Sequence, residues 1–304
     1  MRSREWLSGA LSPIVVLDHT PGNPTSLLRT FVGLHLRDLG GWIRVGALLE
    51  LLATAEVSNS SVRSAVSRLK GKGLLLPEKR GAVAGYRLDP AAVTDLERGD
   101  RRIFTYRGQR DDEPWCLVSY SLPEVDRPKR VQLRRELTGL GFGAVTDGLW
   151  IAPGHLQAEA EDALETLGVR ERATIFITQT PLTAEPFAQA AAKWWELDTL
   201  AARHEEFLDR YDRYDRYDGY DRYDRYDGYD GSARQSACGP WEAFVLWLRC
   251  VDDWKTIPYV DPGLPPSALP ADWPGMRSVA LFGRLRAAYS EPARAHVRNV
   301  AAGT

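Results

Sequence analysis

The side chains best suited to chemistry are hydroxyls and cations concentrated in residues 58–70, which read Ser-Asn-Ser-Ser-Val-Arg-Ser-Ala-Val-Ser-Arg-Leu-Lys. Hydroxyl groups and long cations donate hydrogen bonds to phosphate oxygens, and an arginine can bind the edge of a guanine base through two hydrogen bonds. This composition therefore indicates recognition of a nucleic acid. The candidate DNA-binding side chains of the segment are Ser60, Ser61, Arg63, Ser64, Ser67, Arg68 and Lys70.

An amphipathic helix would position these side chains on one face. Ser58 or Asn59 can cap its start, and Gly71 or Gly73 can end it. A short helix with an apolar back and a Ser/Arg/Lys front fits the DNA major groove, although on this segment alone an ordinary surface helix fits as well. The apolar back falls at i, i+3, i+4 and i+7, namely Val62, Ala65, Val66 and Leu69.

The neighbouring segments predict a winged helix over residues 25–90. Lys79 and Arg80 lie at the turn of its hairpin and are predicted to bind backbone phosphates. The alternative is a winged helix used for contacts with proteins. The predicted order is a helix from Ser26 to about Asp38, a strand at 42–44, helices at 45–53 and 58–70, and a hairpin turning at 77–81.

Charge is unevenly distributed along the chain. The net charge is −2, but residues 25–90 hold ten Lys and Arg against five Asp and Glu, which is +5. Residues 1–24 balance, so residues 91–304 carry −7. A basic module on an acidic remainder predicts that the first part contacts a polyanion such as double-stranded DNA.

Composition restricts the class of protein and its compartment. Hydrophobic residues make up 44% and charged residues 26% of the 304 residues, and no apolar run could span a membrane. We therefore expect a cytoplasmic protein without a membrane partner.

The three cysteines, Cys116, Cys238 and Cys250, are too widely spaced for a disulfide scaffold or a four-cysteine zinc site. Proline-rich residues 1–24 predict a flexible arm.

The predicted fold class is α+β, with a central ferredoxin-like domain over residues 100–180. Strands at 115–120, 142–145, 148–152 and 173–178 alternate with two helices in the order βαββαβ. Gly139, Gly141 and Gly143 could suggest a phosphate loop, but they follow a helix and precede a strand. Phosphate loops run from strand into helix, so a turn is the better interpretation.

Residues 184–290 predict a helical C-terminal domain, interrupted by an Asp-Arg-Tyr repeat over residues 209–231. A period of three matches neither helix nor strand, so we expect a low-complexity insertion that is disordered or weakly helical. A Tyr/Arg tract could bind nucleic acid, but eight Asp against five Arg make this one acidic. The last helix is expected to fray after Pro292.

Three stretches follow one another along the chain in a recognisable order. The first stretch is residues 58–74. The second consists of Leu140-Gly-Phe-Gly followed by Gly148-Leu-Trp-Ile-Ala-Pro153. The third consists of Asp261-Pro-Gly-Leu-Pro-Pro266 followed by Leu269-Pro-Ala-Asp-Trp-Pro-Gly275. Together they resemble the PaaX family of bacterial transcriptional repressors over about residues 25 to 290. The repeat is no part of that family pattern, and the hairpin turn, Gly81-Ala-Val-Ala-Gly85, is less basic than the resemblance implies.

The resemblance implies a homodimer that binds operator DNA and is released by a small effector, which is phenylacetyl-CoA for the family's namesake. It also implies that the central domain is similar to the CRISPR-associated Cas2 fold. An aryl- or acyl-CoA thioester, or an aromatic acid, is the expected class of effector. A CoA ligand needs cations for its phosphates and an apolar slot for its acyl group.

Effector-binding candidates are the densest basic cluster outside the first domain and five tryptophans that could line a slot. A solvated helix face and an ordinary core explain the same residues. The basic cluster comprises Arg127, Lys129, Arg130, Arg134 and Arg135. The tryptophans are Trp194, Trp195, Trp241, Trp247 and Trp254.

A catalytic function is the alternative from another class, and the Cas2-like domain suggests a metal-dependent nuclease. Such an enzyme needs carboxylates at the end of its first strand, whereas this chain has Ser121 there and only Glu124 and Asp126 in the next loop. The histidines are scattered, so no Ser-His-Asp arrangement is predicted. We expect no enzyme activity, no metal and no cofactor; the five histidines are His19, His35, His155, His204 and His296.

Overall fold

A computed structural model of the protein describes residues 20–179, 181–215 and 239–303. In the N-terminal part, helices pack behind a three-stranded antiparallel sheet of order β1-β3-β2. A π-helical turn, Val32–Leu36, prolongs the first helix. The elements are α1 (Pro24–Phe31), β1 (Trp42–Arg44), α2 (Val45–Thr54), α3 (Asn59–Gly71), β2 (Leu75–Arg80), β3 (Val83–Leu88) and α4 (Val93–Phe104).

The central part is a four-stranded antiparallel sheet with two helices on one face. Its elements follow the predicted order βαββαβ, and its strands lie in the order β5-β6-β4-β7. Alternate residues of β4 face opposite sides, so Cys116 and Val118 pack against the two helices while Trp115 packs on the other face. The elements are β4 (Trp115–Tyr120), α5 (Arg127–Gly139), β5 (Gly143–Thr146), β6 (Leu149–Pro153), α6 (Gln157–Thr166) and β7 (Ala173–Thr178).

The C-terminal part is helical. Among residues 20–179, 181–215 and 239–303, none of the helices combines the length and the apolar character needed to cross a membrane. The elements are α7 (Phe187–Trp194), α8 (Leu197–Tyr211), α9 (Pro240–Trp254), α10 (Ile257–Val260) and α11 (Gly275–Ala302).

The expectation that the last helix frays after Pro292 is wrong, because α11 continues to Ala302. Pro292 removes one backbone hydrogen-bond donor, but the next two turns are held by packing. Ala293 and Val297 are buried in the hydrophobic core, and Arg44 donates a hydrogen bond of 2.8 Å to the Val300 carbonyl. Burial therefore compensates for the lost helical bond.

The N-terminal and C-terminal helices share one hydrophobic core. Leu27 and Phe31 of α1 belong to the same cluster as Phe244 and Trp247 of α9, and the Phe31 and Phe244 rings meet edge to face at 6.4 Å. The sequence places residues 25–90 and 184–290 in separate domains, whereas their apolar faces cover each other. A change in the C-terminal helices therefore bears directly on the N-terminal module.

A buried ion pair fastens the start of α1 to α9. The Asp252 carboxylate lies 2.6 Å from Lys255 Nζ and accepts hydrogen bonds from Ser26 Oγ (2.7 Å), Thr30 Oγ1 (2.6 Å) and the Gly22 backbone (2.7 Å). Residues 20–24, predicted to belong to a flexible arm, are thus held in place. The remainder of that predicted arm, residues 1–19, lies outside the described residues.

The first unit of the Asp-Arg-Tyr repeat is part of the fold. Tyr211 ends α8, is 3% exposed, and its hydroxyl donates a 2.7 Å hydrogen bond to Asp253. The expectation of a disordered or weakly helical insertion from residue 209 onward is wrong for this unit, because Tyr211 continues the buried stripe of Phe207 and Leu208. The repeat from residue 216 onward lies outside the described residues.

Candidate nucleic-acid interface

Helix α3 has the predicted start, stripe and polar face. Ser58 is its N-cap and accepts a hydrogen bond of 3.2 Å from the Ser61 backbone, which satisfies one of the free amides of the first turn. The predicted apolar stripe is buried, each member being at most 3% exposed, and it packs toward α1 and α2. This packing turns the opposite face of α3 to solvent.

Most of the predicted DNA-binding side chains of α3 are exposed, but they are not equally free. Ser60 and Ser61 share hydrogen bonds with the Ser58 hydroxyl at 3.1 and 2.9 Å. Arg68 donates a 3.0 Å hydrogen bond to Thr25 Oγ1 at the start of α1, which orients its guanidinium. The side chains that face solvent on the rest of this surface are Arg63, Ser64, Ser67 and Lys70.

The β2–β3 hairpin turns at the far end of the predicted span and is tighter than expected. Its strands pair up to Arg80 opposite Val83, and the turn is formed by residues 81 and 82, with Gly81 at φ 60°. The expected turn at 77–81 is wrong because Pro77 can sit in an edge strand, where it removes no interstrand hydrogen bond. Lys79 and Arg80 therefore lie at the end of a strand beside the turn.

The two hairpin cations differ in what they contact. Lys79 is exposed to solvent. Arg80 pairs with Glu78 at 2.9 Å, and its guanidinium lies 4.8 Å from the centre of the Trp42 ring. Arg80 is therefore engaged within the module, and Lys79 is the freer of the two for a phosphate.

The turn between α2 and α3 is supported by the C-terminal helices, a contact that sequence analysis missed. Arg249 of α9 donates hydrogen bonds of 2.9 Å to the Ala55 carbonyl and 3.0 Å to the Glu56 carboxylate. Glu56 has φ 65°, a left-handed conformation that non-glycine residues seldom adopt. No local sequence signal links residues 193 positions apart, so only the folded structure could reveal this support.

The predicted basic cluster lies on the solvent side of α5, and carboxylates contact three of its members. Arg130 pairs with Glu124 at 2.6 Å, Arg127 with the same residue at 3.8 Å, and Arg134 with Asp147 at 3.3 Å. Such surface pairs contribute only about 0–1 kcal/mol, so an anionic ligand can replace them. The other two members, Lys129 and Arg135, are exposed.

The five tryptophans do not line one slot with this cluster, and four of them belong to hydrophobic cores, which was the alternative interpretation. Trp194 and Trp195 pack with Phe187 on the face of the sheet opposite α5. Trp247 and Trp254 belong to the large core, where the Trp254 ring stacks on Phe282 at 4.5 Å. The fifth tryptophan, Trp241, is 50% exposed.

A Ser-His-Asp arrangement is present, although none was predicted from the sequence. His204 of α8 lies 2.6 Å from Ser278 Oγ through Nδ1 and 2.7 Å from Asp261 Oδ2 through Nε2. All three side chains are at most 2% exposed, so no substrate can reach the serine. The group ties α8, the loop after α10 and α11 together, and it explains the Asp261 position of the C-terminal motif.

Two histidines outside this group have a pKa below the usual range. Burial, aided by the positive charge of Arg294, lowers the pKa of His35 to about 3, and the ring lies between Phe31 and Phe244. His155 is solvent-exposed, but desolvation by its surroundings and the charges of Arg107 and Arg102 lower its pKa to about 4. These rings remain uncharged near neutral pH.

Glu124, one of the two carboxylates considered for a nuclease, is engaged in surface ion pairs. Glu124 contacts Arg130 and Arg127, and its side chain is 72% exposed. At the end of β4 the buried side chain is Tyr120. Within residues 20–179, 181–215 and 239–303, no three His, Cys, Asp or Glu side chains form a group that could hold a metal ion.

Comparison with known proteins identifies related segments along the whole fold. Residues 23–92 match the family described as PaaX-like protein, residues 108–190 the PaaX protein central Cas2-like domain, and residues 195–299 the PaaX-like protein C-terminal domain. The chain is 26% identical over 258 residues to the transcriptional repressor PaaX of Escherichia coli (strain K12), covering 84% of this chain and 77% of that protein.

A solved structure has the same fold. The uncharacterized protein Rv0674 from Mycobacterium tuberculosis aligns with a TM-score of 0.56 at 21% identity, over 90% of this chain and 99% of that one. The three family segments include the exposed face of α3, the four-stranded sheet with its Cas2-like match, and the helices that share their core with α1. From the N-terminal module to α11, this chain belongs to the PaaX family of transcriptional regulators.

Proposed function

We propose that the protein is a transcriptional repressor that binds double-stranded DNA through α3 and is released by a small effector. In this proposal residues 25–90 form a winged helix, with α3 as the recognition helix and the β2–β3 hairpin as the wing. The observation that carries the proposal is the exposed face of α3, which bears hydroxyl groups and cations. The buried apolar stripe on the other side of the helix orients this face toward solvent, and the exposed Lys79 belongs to the same module.

Each part of the interface has a distinct task in this proposal. Arg63, Ser64 and Ser67 enter the major groove and contact base edges. The N-terminus of α3, with Ser60 and Ser61, faces a phosphate, because the helix dipole and free amides favour an anion there. The remaining cations position the module on the backbone: Arg68, Lys70, Lys79 and Arg80.

The proposed effector is an aryl- or acyl-CoA thioester such as phenylacetyl-CoA. Its phosphates require several cations, and the α5 cluster supplies five within nine residues. The relative from Escherichia coli supports a repressor, and the choice of thioester follows the family resemblance. Because the tryptophans are dispersed, the acyl slot is not part of this assignment.

The hydrophobic core shared by the N-terminal and C-terminal helices would couple effector binding to release of DNA. Arg249 supports the turn that precedes α3, and Asp252 holds the start of α1, against which α3 packs. A ligand that alters the position of α9 would therefore alter the position of the recognition helix. The proposed active species is a homodimer, whose two recognition helices would contact half-sites about 34–36 Å apart, one turn of DNA.

The test is selection of binding sites from a random DNA pool by the full-length protein, followed by titration of the selected site. We expect a two-fold symmetric site whose binding is reversed by phenylacetyl-CoA and not by CoA or phenylacetate alone. If the pool gives no preferred sequence, the module is a protein-interaction adaptor and the proposal is wrong.

A matched pair of variants tests the effector site separately. Replacing Lys129 and Arg135 together by alanine should raise the thioester concentration needed for release while leaving DNA affinity unchanged. Replacing Lys193 and Arg277, two exposed cations of the C-terminal region, is the control. An equal response of both pairs would contradict a site on α5.

A further inference from the structure

Strand β7 is an unprotected edge of the central sheet. It pairs with β4 on one side only, and no strand in the described part of the chain pairs with its other side. Phe176 is 52% exposed and Ile177 is 48% exposed. Exposed apolar edges promote association, and proteins normally protect them with charges, prolines or bulges. Residues 173–179 contain neither a charge nor a proline, and the β4–β7 register has no bulge.

The opposite edge of the same sheet shows the usual protection. Strand β5 is four residues long, and its register with β6 shifts between Ala144 and Thr146. Helix α7 covers it, with Trp194 and Trp195 lying against Gly143. The exposure of β7 is therefore a property of that edge and not of the sheet as a whole.

The sequence of β7 is a palindrome, Thr174-Ile-Phe-Ile-Thr178. When two copies of such a strand pair antiparallel about a two-fold axis at Phe176, each side chain lies opposite a side chain of the same residue type. Phe176 lies opposite Phe176 of the other copy, each Ile175 opposite an Ile177, and each Thr174 opposite a Thr178. Aromatic, β-branched and threonine pairs of this kind are the favourable cross-strand pairs of antiparallel sheets.

We propose that β7 pairs with β7 of a second copy of this chain, so that the two four-stranded sheets join across a two-fold axis at Phe176. A self-complementary surface is what a two-fold dimer requires, since the same patch serves on both sides. No charged residue lies between Ala173 and Gln179, so no like charges oppose each other in the pair. A strand from an unrelated protein would have no need of a palindrome.

The exposed face of the strand agrees with this arrangement. Phe176 is the register partner of Leu117 on β4 and lies on the face of the sheet that carries Trp115. Near Trp115 that face is covered by Trp195 and Phe187, whereas Phe176 remains half exposed. The second Phe176 ring would cover it, extending an apolar surface that is already formed.

This inference deepens the homodimer of the proposed function by assigning its interface. The measurement needs no DNA and no effector. The Phe176 variants should still bind a single half-site, since β7 belongs to the central sheet and α3 packs in the N-terminal module. Loss of the interface and loss of DNA recognition are therefore separable results.

The first experiment measures association of the full-length protein by analytical ultracentrifugation. Phe176→Lys and Phe176→Glu each place two like charges face to face across the axis, and we expect the dimer dissociation constant to rise about 100-fold or more. An equal mixture of the two variants should restore the dimer, because opposite charges then meet. Val131→Lys and Val131→Glu, at a residue of α5 that is 45% exposed, are the matched controls and should leave association unchanged.

The second experiment tests the register by cysteine cross-linking in a Cys238→Ser background. Phe176→Cys should form a disulfide-linked dimer on mild oxidation, because directly opposed Cβ atoms lie about 4.5–5.5 Å apart. Thr174→Cys and Thr178→Cys should each fail to cross-link alone, since their own copies are about 14 Å apart along the strand. A mixture of these two variants should cross-link.

Three results would overturn the proposal. One is a monomeric wild-type protein at micromolar concentration, and another is a dimer that both charged Phe176 variants leave intact. The third is equal cross-linking of all three cysteine variants, which would indicate random collision. Near-ultraviolet circular dichroism of each monomeric variant verifies that its fold is retained.

Discussion

Replacing Arg63 by alanine is the sharpest test of DNA recognition by α3, because this side chain is exposed on the polar face of the helix. Its removal should change the free energy of unfolding by less than about 0.5 kcal/mol, as is usual at exposed positions. Arg68 is a less direct probe, since its bond to Thr25 would be lost as well.

The expected loss follows from the contact that an arginine makes with guanine. Such a bidentate contact contributes about 1–3 kcal/mol of discrimination, which corresponds to about 5- to 150-fold weaker binding to the selected site. Binding to random DNA should change little in comparison, so the ratio of specific to random affinity should fall. Substituting the contacted guanine in the DNA should weaken binding of the wild-type protein by the same factor. The Arg63→Ala variant should then bind the substituted DNA no more weakly than it binds the original site.

Lys79→Ala is the contrasting variant, because a phosphate contact carries no sequence information. Binding to specific and random DNA should weaken alike, and the slope of log affinity against log salt should fall in magnitude by about 0.9. The control is Arg277→Ala, whose side chain is 69% exposed at the start of α11.

Fluorescence anisotropy of labelled duplexes at several salt concentrations measures all of these quantities. Unchanged specific affinity of the Arg63→Ala variant, or an equal loss for random and selected DNA, would refute base reading by this residue. Full-strength specific binding by an Arg63→Ala/Arg68→Ala double variant would refute the assignment of α3 altogether.

Three further predictions concern the fold behind the interface. Asp252→Asn removes the anionic partner of the buried Lys255 and should lower the free energy of unfolding by about 3–5 kcal/mol. Burial raises the pKa of Asp252, but the charge of Lys255 and the hydrogen bonds to the carboxylate outweigh it and hold that pKa below its usual range. The wild-type contribution is therefore fully present above the unfolded-state pKa of about 4 and is lost as pH falls through the lowered pKa, which urea titrations at several pH values would show. Gly263 has φ 75°, and a Cβ added there would clash with the Arg107 carbonyl, so Gly263→Ala should lower the free energy of unfolding by more than about 2 kcal/mol. Gly283 of α11 has open space around it, so Gly283→Ala should leave that free energy unchanged or raise it by up to about 1 kcal/mol. Thermal melts measure both changes. Burial and two glutamate charges raise the pKa of the Cys116 thiol to about 12. Alkylation at pH 8, followed by peptide mass spectrometry, should therefore modify this residue only after denaturation. Rapid labelling of the native protein would contradict its burial.

Local patterns in the sequence were sufficient for elements whose stability comes from their own periodicity. The bounds, cap and buried stripe of α3 could be predicted because 3.6-residue periodicity and a serine cap act within a few residues. The central βαββαβ order was predictable for the same reason. The hairpin turn was predicted to begin at Pro77 but is formed by residues 81 and 82, because proline is a turn signal in isolation and is acceptable in an edge strand.

Contacts between distant residues could not be predicted in this way. Nothing local indicates that His204 meets Asp261 and Ser278, residues 57 and 74 positions away, or that Arg249 reaches the turn before α3. The dispersal of the tryptophans between two cores also depends on which apolar faces meet.

The sequence by itself determined that a short helix with an apolar back and a cationic, hydroxyl-bearing front exists at residues 59–71, because those properties depend on neighbours three and four residues away. Tertiary structure alone decided what stands behind that helix. The C-terminal helices complete the core of the N-terminal module, hold α1 through Asp252 and support the turn at Glu56 through Arg249. These arrangements follow from the burial of apolar surface and the pairing of buried charges across the whole chain, which no window of sequence contains.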